Sequence, residues 1–208
     1  MSAVAATDAQ APAAPALPGT WRIAPVSDPS VQILLEDLVR EYHERYGSSL
    51  GGAPHSARAE VERYPAERFE APHGTFLIYE EDGEPLTGGA LMRYDEATAE
   101  VKRVWTRADQ RGRRLAAATM AHLEERAREL GYTRIYLTTG PAQPEAVALY
   151  LRAGYTPGFD PARYPTRQVP HPFSKDLLTP APGADRAEHP IDPGAVAATP
   201  ASHKEQIA

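Results

Sequence analysis

Residues 100–130 read EVKRVWTRADQRGRRLAAATMAHLEERAREL, and this stretch decides the fold. Residues 100–106 have the composition of a β-strand, and apolar residues at steps of four and three predict a helix that runs to Leu130. A turn that contains Gly112 and several arginines joins the two. The first turn of a helix has free N–H groups and carries partial positive charge, so this turn is suited to hold a phosphate. The alternative is a solvated turn whose arginines flank the helix.

The composition is typical of a globular protein. A chain of 208 residues with 42% hydrophobic and 24% charged residues allows one domain with a proper core, or two very small ones. Cysteine is absent, which excludes disulfides, cysteine zinc sites and a covalent thiol intermediate, and is consistent with a cytoplasmic location. The net charge of -6 and the pI of about 5.7 argue against a dedicated nucleic-acid binder. Since no apolar run approaches the ~20 residues that span a bilayer, we expect no membrane partner.

Both ends of the chain are rich in alanine and proline. Residues 1–19 lack the basic start and the leucine-rich core of a secretory signal. Residues 179–208 contain too little apolar surface to offset the entropy of ordering. We therefore predict two disordered tails around one folded domain of residues 20–178.

Between the tails, helix and strand signals predict a mixed α/β (α+β) fold. Asp28 and Pro29 begin an amphipathic helix, and Gly47 ends it. A loop with a short helix leads into an antiparallel meander of three strands, and a parallel β–α–β step follows, which we expect to be right-handed. The predicted strands are residues 21–25, 75–80, 85–94, 100–106, 133–139, 155–159 and 173–177.

Two motifs in this frame are similar to those of a known enzyme family. The first consists of Gln or Arg, two residues, Gly, one residue, then Gly or Ala; it is matched from Arg111 to Ala116, with Arg114 at the central glycine position. The second, Asn-x-x-Ala-x-x-Leu-Tyr followed by Gly and an aromatic residue, is matched from Gln143 to Tyr155. Each motif lies in the right strand–helix context. The chain thus resembles the GNAT family of N-acetyltransferases, which transfer an acyl group from acyl-coenzyme A to an amine.

The resemblance implies a splayed mixed sheet with helices on both faces. Strands 100–106 and 133–139 would part at one end, and the pantetheine arm of acetyl-CoA would lie in the gap like an added strand. The basic turn would bind the diphosphate. The residues that the resemblance assigns to acetyl-CoA are Val104, Trp105, Thr106, Arg111, Gly112, Arg113, Arg114, Leu115, Ala116 and Gln143.

Acyl transfer to an amine needs a base for the protonated amine and an acid for the leaving thiolate. The resemblance implies Glu100 as the base, acting through water; the alternative is a carboxylate paired with Lys102 or Arg103. Tyr150 is implied as the acid, because a phenol with a pKa of ~10 can return a proton to a thiolate; the alternative is a core aromatic residue. Three further candidate bases lie nearby: Tyr94, Asp95 and Glu96. No histidine pair has the spacing of a helical zinc site, so we expect no metal.

The expected function is an N-acetyltransferase that moves an acetyl group from acetyl-CoA to the amine of a small molecule, by direct attack in a ternary complex. Two alternatives remain open: a protein lysine or N-terminal acetyltransferase, and a non-catalytic coenzyme-A-binding sensor. The acceptor pocket is expected near the end of the first helix, residues 48–74 and residues 160–171. Four tyrosines are candidates for its walls: Tyr42, Tyr46, Tyr64 and Tyr164. The family adds a homodimer as an expectation, while the sequence leaves the acceptor, the acyl chain and the oligomeric state open.

Overall fold

The computed structural model describes residues 17–47, 49–50, 53–54, 56–166 and 170–177. Most of both predicted tails therefore lies outside the described residues. Leu17 packs against a small cluster that contains Tyr79, and the Gly19 N–H donates a 2.7 Å hydrogen bond to the Tyr79 hydroxyl. The part of the chain that contacts the fold thus begins before Thr20, where the sequence analysis placed the boundary.

The strands of the described residues form one large sheet and one short ribbon. They are β1 (Thr20–Ile23), β2 (Ser49–Leu50), β3 (Ala53–Pro54), β4 (Thr75–Glu81), β5 (Glu84–Arg93), β6 (Thr98–Thr106), β7 (Arg134–Thr139), β8 (Thr156–Pro157) and β9 (His171–Asp176). The large sheet has the order β1-β4-β5-β6-β7-β9-β8, and β2 pairs with β3 alone. Every neighbouring pair in the large sheet is antiparallel except β6 and β7. The predicted meander and the parallel β–α–β step are both confirmed.

Four α-helices of the described residues cover this sheet. They are α1 (Pro29–Tyr46), α2 (Ala57–Val61), α3 (Leu115–Glu129) and α4 (Pro144–Arg152). The start of α1 follows the predicted capping, because the Asp28 side chain accepts a 2.9 Å hydrogen bond from the Ser30 N–H. Gly47 closes the helix at a φ of 59°. Within the described segments, no helix combines the length and the apolar character that crossing a membrane requires.

The apolar core is divided by the sheet into two layers. One layer joins α1 and α2 to the sheet through residues such as Leu34, Val61 and Trp105. The other joins α3 and α4 to the opposite face through residues such as Leu123 and Val147. Helices therefore cover both faces, as expected, and a ligand that enters between two strands contacts both layers.

The parallel strands β6 and β7 separate part-way along their length. Their pairing runs from Thr98 opposite Arg134 to Val101 opposite Leu137 and stops there. A bulge in β6 follows at once, because the pairing with β5 shifts register and Arg103 adopts a φ of 59°. A bulge bends the strand that carries it, so the two strands diverge beyond this point. The splayed sheet is thus confirmed.

The last predicted strand pair differs in detail from the prediction. The strand expected over residues 155–159 is the two-residue β8, which pairs only with β9. Phe159 leaves the sheet and packs against Phe173 and His171, with ring centroids 5.3 and 4.8 Å away. The strand ends early because Phe159 packs into an aromatic cluster instead of pairing with a neighbouring strand.

Candidate active site

A cavity of about 1000 Å³ opens where β6 and β7 separate. Its walls come from β6 beyond the bulge, the start of α3, α4, and the second half of α1 together with α2. Among the residues that the sequence assigned to acetyl-CoA, those on this cavity are Val104, Trp105, Thr106, Arg111, Gly112, Arg114, Leu115, Ala116 and Gln143. The fold therefore brings the edge of β6, the basic turn (residues 111–116) and the start of α4 to one place.

The backbone of the basic turn explains why the family motif has glycine where this chain has Arg114. Gly112 has a φ of 87°, with no atom near enough to contact an added Cβ. Arg114, the residue before α3, has a φ of 62° and a ψ of 17°, which is the left-handed conformation. Glycine adopts this conformation freely, whereas a residue with a Cβ pays roughly 1–2 kcal/mol. Since Arg114 makes no side-chain cap, the first N–H groups of α3 are left for another partner.

An ionic network crosses the cavity from the basic turn to α4. The Arg111 guanidinium donates a 2.9 Å hydrogen bond to Glu41 on α1. Glu41 also accepts a 2.6 Å hydrogen bond from Arg45, which in turn contacts Glu145 on α4. Arg45 further donates a 2.5 Å hydrogen bond to the Ala142 carbonyl. The network therefore ties α1 to both sides of the cavity.

Arg113 is the one predicted cofactor residue that does not reach the cavity. Its guanidinium donates hydrogen bonds of 2.6 Å to Glu81 at the end of β4 and of 2.6 Å to Gln110. The side chain therefore points along the outside of the turn. Arg114 differs, since its exposed side chain borders the cavity.

Tyr150 lies on α4 in the wall of the cavity and is only 6% exposed. Its ring packs edge-on against Phe173, with centroids 5.4 Å apart. Burial raises the pKa of Tyr150, because the phenolate is poorly solvated there. The hydroxyl therefore keeps its proton at neutral pH, while the ring serves as a core residue. The two roles proposed for Tyr150 from the sequence do not exclude each other.

Glu100 lies behind the cavity wall rather than in it. It is 6% exposed, and its carboxylate is 2.6 Å from the Lys102 ammonium group. Lys102 itself borders the cavity and lies 5.3 Å from the centre of the Tyr64 ring. The ion pair with Lys102, which was the alternative to a catalytic role for Glu100, is thus present, and Glu100 itself does not border the cavity.

The other candidate bases belong to the turn between β5 and β6. Asp95 accepts hydrogen bonds from the N–H groups of Ala97 and Thr98, at 2.8 and 2.7 Å. The Glu96 side chain is 96% exposed, and Tyr94 stacks on Tyr136. These residues shape the turn, and they do not border the cavity.

The tyrosines predicted for the acceptor pocket divide into two groups. Tyr42 and Tyr46 on α1 border the cavity, whereas Tyr64 and Tyr164 do not. The Tyr164 hydroxyl donates to the Gly140 carbonyl at 2.8 Å and so supports the loop before α4.

Gln143 has a structural role beside its place in the cavity wall. Its side-chain oxygen accepts hydrogen bonds from the Thr139 hydroxyl at 2.8 Å and from the Gly140 N–H at 2.9 Å. The Gln143 N–H donates a 3.0 Å hydrogen bond to the Tyr164 hydroxyl. These bonds hold the start of α4 beside the end of β7, where the cavity opens.

Several charged residues that border the cavity were not predicted as site residues, among them Glu60, Arg63, Lys102 and Arg103. Glu60 and Arg63 come from the segment around α2, which the sequence marked only as a candidate pocket region. We call Tyr42, Tyr46, Glu60 and Arg63 the α1–α2 wall. Tyr42 and Tyr46 were predicted for the pocket wall, but no local pattern could have identified Glu60 and Arg63, because they reach the cavity only when α2 packs against α1.

The cavity suits an elongated thioester of the acetyl-CoA type. The unpaired edges of β6 and β7 offer hydrogen bonds to the amides of a pantetheine arm. The uncapped start of α3 offers N–H groups to a diphosphate. Within the described part of the chain, no group of three or more His, Asp or Glu residues is arranged to hold a metal ion.

Comparison with known proteins agrees with this geometry. The profile of the acetyltransferase (GNAT) family matches residues 34–155, which is more than half of the chain. The chain belongs to the GNAT family. This GNAT protein is 26% identical over 142 residues to the uncharacterized N-acetyltransferase YjgM of Escherichia coli K12, a match that covers 64% of the chain and 84% of YjgM.

Solved structures show the same GNAT fold. A protein from Klebsiella pneumoniae assigned as an acyl-CoA N-acyltransferase has a TM-score of 0.58 at 24% identity, covering 77% of this chain and 99% of its own. YncA from Salmonella typhimurium, assigned as an acetyltransferase and solved with its cofactor acetyl-CoA, has a TM-score of 0.54 at 15% identity, covering 81% of this chain and 98% of its own. Family membership supports an acyl-CoA-dependent acetyltransferase, and it leaves the acceptor open.

Proposed function

We propose that this GNAT protein is an N-acetyltransferase that transfers the acetyl group of acetyl-CoA to the amine of a small molecule in a ternary complex. The observation that carries the proposal is one continuous cavity. It joins the edge of β6 and the basic turn to Tyr150 and the α1–α2 wall. Donor and acceptor can therefore meet without a covalent enzyme intermediate.

The donor-binding role falls on backbone groups. The edge of β6 at Val104, Trp105 and Thr106 binds the pantetheine amides, and the first N–H groups of α3 bind the diphosphate. The side chains of Arg111 and Arg114 add positive charge on the cavity side. Arg113 contributes only its backbone, because its guanidinium is held by Glu81.

The chemical step needs proton transfers at both the amine and the departing sulfur. The ammonium group first loses one proton through a cavity water to Glu100, whose carboxylate is held by Lys102. The nitrogen then attacks the thioester carbonyl carbon, and a backbone N–H of β6 near Val104 stabilises the charge on the carbonyl oxygen. As the C–S bond breaks, Tyr150 gives its hydroxyl proton to the departing sulfur, and the second proton that the nitrogen loses restores the Tyr150 hydroxyl. Acetyl-CoA supplies the activated acetyl group, and the protein supplies position and protons.

The shape of the acceptor region favours a small molecule over a protein. The acceptor reaches the thioester past Tyr42, Tyr46 and Glu60, and the network around Arg45 ties α1 to α4 beside it. A folded protein or a long peptide needs an open groove at this position. A coenzyme-A sensor is disfavoured because Tyr150 borders the cavity.

The deciding experiment measures thiol release from acetyl-CoA over a panel of small amines, peptides and intact proteins. We expect release with at least one class of small amine and saturable binding of coenzyme A by calorimetry. Binding without release on any acceptor would favour the sensor, and the absence of binding would refute the proposal.

The assignment of the base is tested with two matched variants. Glu100→Gln is expected to lower kcat/KM by more than tenfold, because a general base contributes about 10²–10⁴-fold. Glu60→Gln removes a carboxylate that borders the cavity but is paired with Arg63 at 2.7 Å, and a smaller loss is expected. The opposite ranking would assign the base to Glu60.

A further inference from the structure

Arg103 is a buried cation that forms no ion pair with a carboxylate among the described residues. It is 6% exposed and lies in the bulge of β6. One guanidinium nitrogen, Nη1, donates a long 3.3 Å hydrogen bond to the Glu60 carbonyl. The other, Nη2, is buried and has no hydrogen-bond partner among the described residues. Burial lowers the pKa of Arg103, and the nearby Glu60 carboxylate offsets this only in part.

The neighbouring cations are already paired, unlike Arg103. Lys102 is 2.6 Å from Glu100, and Arg63 is 2.7 Å from Glu60. Arg58 on α2 forms an exposed pair with Glu36 on α1, at 2.8 Å. A buried charge with an unsatisfied N–H costs free energy unless a partner compensates it. A ligand anion is the partner that would do so here.

The position of Arg103 places such an anion beside the reaction centre. The residue directly precedes Val104, where the edge of β6 borders the donor, and it lines the main cavity. Its guanidinium lies 5.7 Å from the Phe69 ring centre and close to Glu60, so it faces the α1–α2 wall rather than the basic turn. Arg103 also borders a second cavity of about 270 Å³ on this side of the sheet. The guanidinium is therefore on the acceptor side of the bulge.

We propose that Arg103 binds the carboxylate of the acceptor, so that the acceptor is an amino-acid-like molecule with an amine and a carboxylate. The inference rests on the proposed function and narrows the class of molecules that the enzyme accepts as acceptor. Guanidinium and carboxylate form two parallel hydrogen bonds, and this pairing discriminates a carboxylate from an amide of the same shape. A site built to pair a charged group rejects the analogue that lacks it, because the buried group is then left unpaired.

The first test compares each amino acid with its own carboxamide as acceptor, using thiol release. The wild-type protein is expected to prefer the acid by at least tenfold in kcat/KM. Arg103→Met is expected to remove this preference by lowering turnover of the acid alone. Arg103→Lys is expected to retain part of it. Met and Lys are unbranched at Cβ, so neither adds strain at the left-handed φ of 59°.

A matched control separates this role from a general loss of charge. Arg58→Gln also removes a guanidinium near α2, but from an exposed pair, and it is expected to leave the preference for the acid unchanged. Arg103→Met is also expected to melt at the same or a higher temperature without ligand, because it removes an uncompensated charge. If Arg103 had only a structural role, Arg103→Met would instead lower the melting temperature and reduce kcat/KM equally for acid and amide.

Three outcomes would overturn the inference, and each differs from a failure of the proposed function. The first is acetylation of carboxamides by the wild-type protein as fast as acids, a result that requires no variant to fold. The second is an equal loss of kcat/KM for acid and amide in Arg103→Met. The third is an Arg103-dependent preference for succinyl-CoA over acetyl-CoA with uncharged amines, which would place the carboxylate on the donor. The proposed function itself fails if no small amine releases thiol.

Discussion

Tyr150 borders the cavity and is protonated before the reaction, because burial raises its pKa. The raised pKa also makes it a weaker acid than a free phenol, so it donates its proton only as negative charge develops on the departing sulfur. Replacing it with Phe removes one oxygen and preserves the packing against Phe173. We expect Tyr150→Phe to lower kcat by tenfold or more with little change in coenzyme A affinity.

The pH dependence of turnover is a second test of the role of Tyr150. A phenol with a raised pKa loses its proton only above its ordinary value of 10.0, so turnover that depends on this proton is expected to persist to at least that pH. The profile of kcat against pH checks this in the wild-type protein. An alkaline limb that remains unchanged in Tyr150→Phe would assign the limb to another group, and undiminished turnover in that variant would remove Tyr150 from the mechanism.

Arg114 occupies a backbone conformation that favours glycine. At a φ of 62°, Arg114→Gly relieves steric strain, although glycine also increases the entropy of the unfolded chain. We expect a net gain of roughly 0.5–1 kcal/mol in the free energy of unfolding, measured with urea. Arg114→Ala is the control, since it removes the same side chain and keeps the strain. Equal stability of the two variants would contradict the strain argument.

At the scale of elements, one ionic cluster joins the start of α1 to β1 and β4. Arg22 on β1 donates a 2.8 Å hydrogen bond to Asp28 and a 2.9 Å hydrogen bond to Glu80. The Ser30 hydroxyl also donates to Glu80, at 2.6 Å. Hydrogen bonding from Arg22 lowers the pKa of both carboxyl groups. The cap of α1 is therefore coupled to the edge of the sheet.

This cluster predicts acid sensitivity with a defined sign. Because both pKa values are lower in the folded state, the stabilisation is fully present above the ordinary values of 3.8 and 4.5 and is lost as the pH falls below them. Asp28→Ala is expected to cost about 1–2 kcal/mol at neutral pH, since it removes the cap and the ion pair. Asp28→Asn keeps a capping oxygen, so it should cost less and flatten the loss of stability between pH 5 and 3, roughly the range of a shifted carboxyl group. Urea unfolding at several pH values measures both effects.

The bulge of β6 is the element that organises the cavity. It ends the pairing with β7 beyond Val101, and it turns Arg103 toward α2 while Val104 stays on the donor side. A regular strand would have continued the pairing and closed the gap. One extra residue in the ladder thus opens the gap between β6 and β7 and buries Arg103.

At the scale of the whole molecule, the ligand would lie between the two core layers. At that position acetyl-CoA would contact both strands at the divergence and both α3 and α4, so its binding is expected to stabilise the folded state against the unfolded chain. At roughly 100 times its Kd this linkage contributes about 2.7 kcal/mol, which corresponds to a rise in Tm of roughly 5–10 °C for a domain of this size. Thermal unfolding with and without acetyl-CoA measures the shift. Pantetheine, which lacks the diphosphate, is the control. An equal rise in Tm with pantetheine would show that the basic turn makes no contact with the diphosphate.

The sequence by itself determined the order of the elements, the strand–turn–helix with the basic residues, and membership in the GNAT family. These features are local: helical periodicity, capping at Asp28 and two short motifs depend on neighbours in the chain. Arg111 and Tyr150 could be predicted as site candidates for the same reason, because each lies within one of the two motifs.

Only the tertiary structure decided which of the charged side chains reach the cavity. Arg113 is held outside by Glu81, Glu100 lies behind Lys102, and Arg103 is buried against α2. Most of these partners are distant in sequence, and a charged side chain goes where its partner and its burial cost direct it. The acceptor side of the site therefore depends on contacts between elements, which no pattern along the chain records.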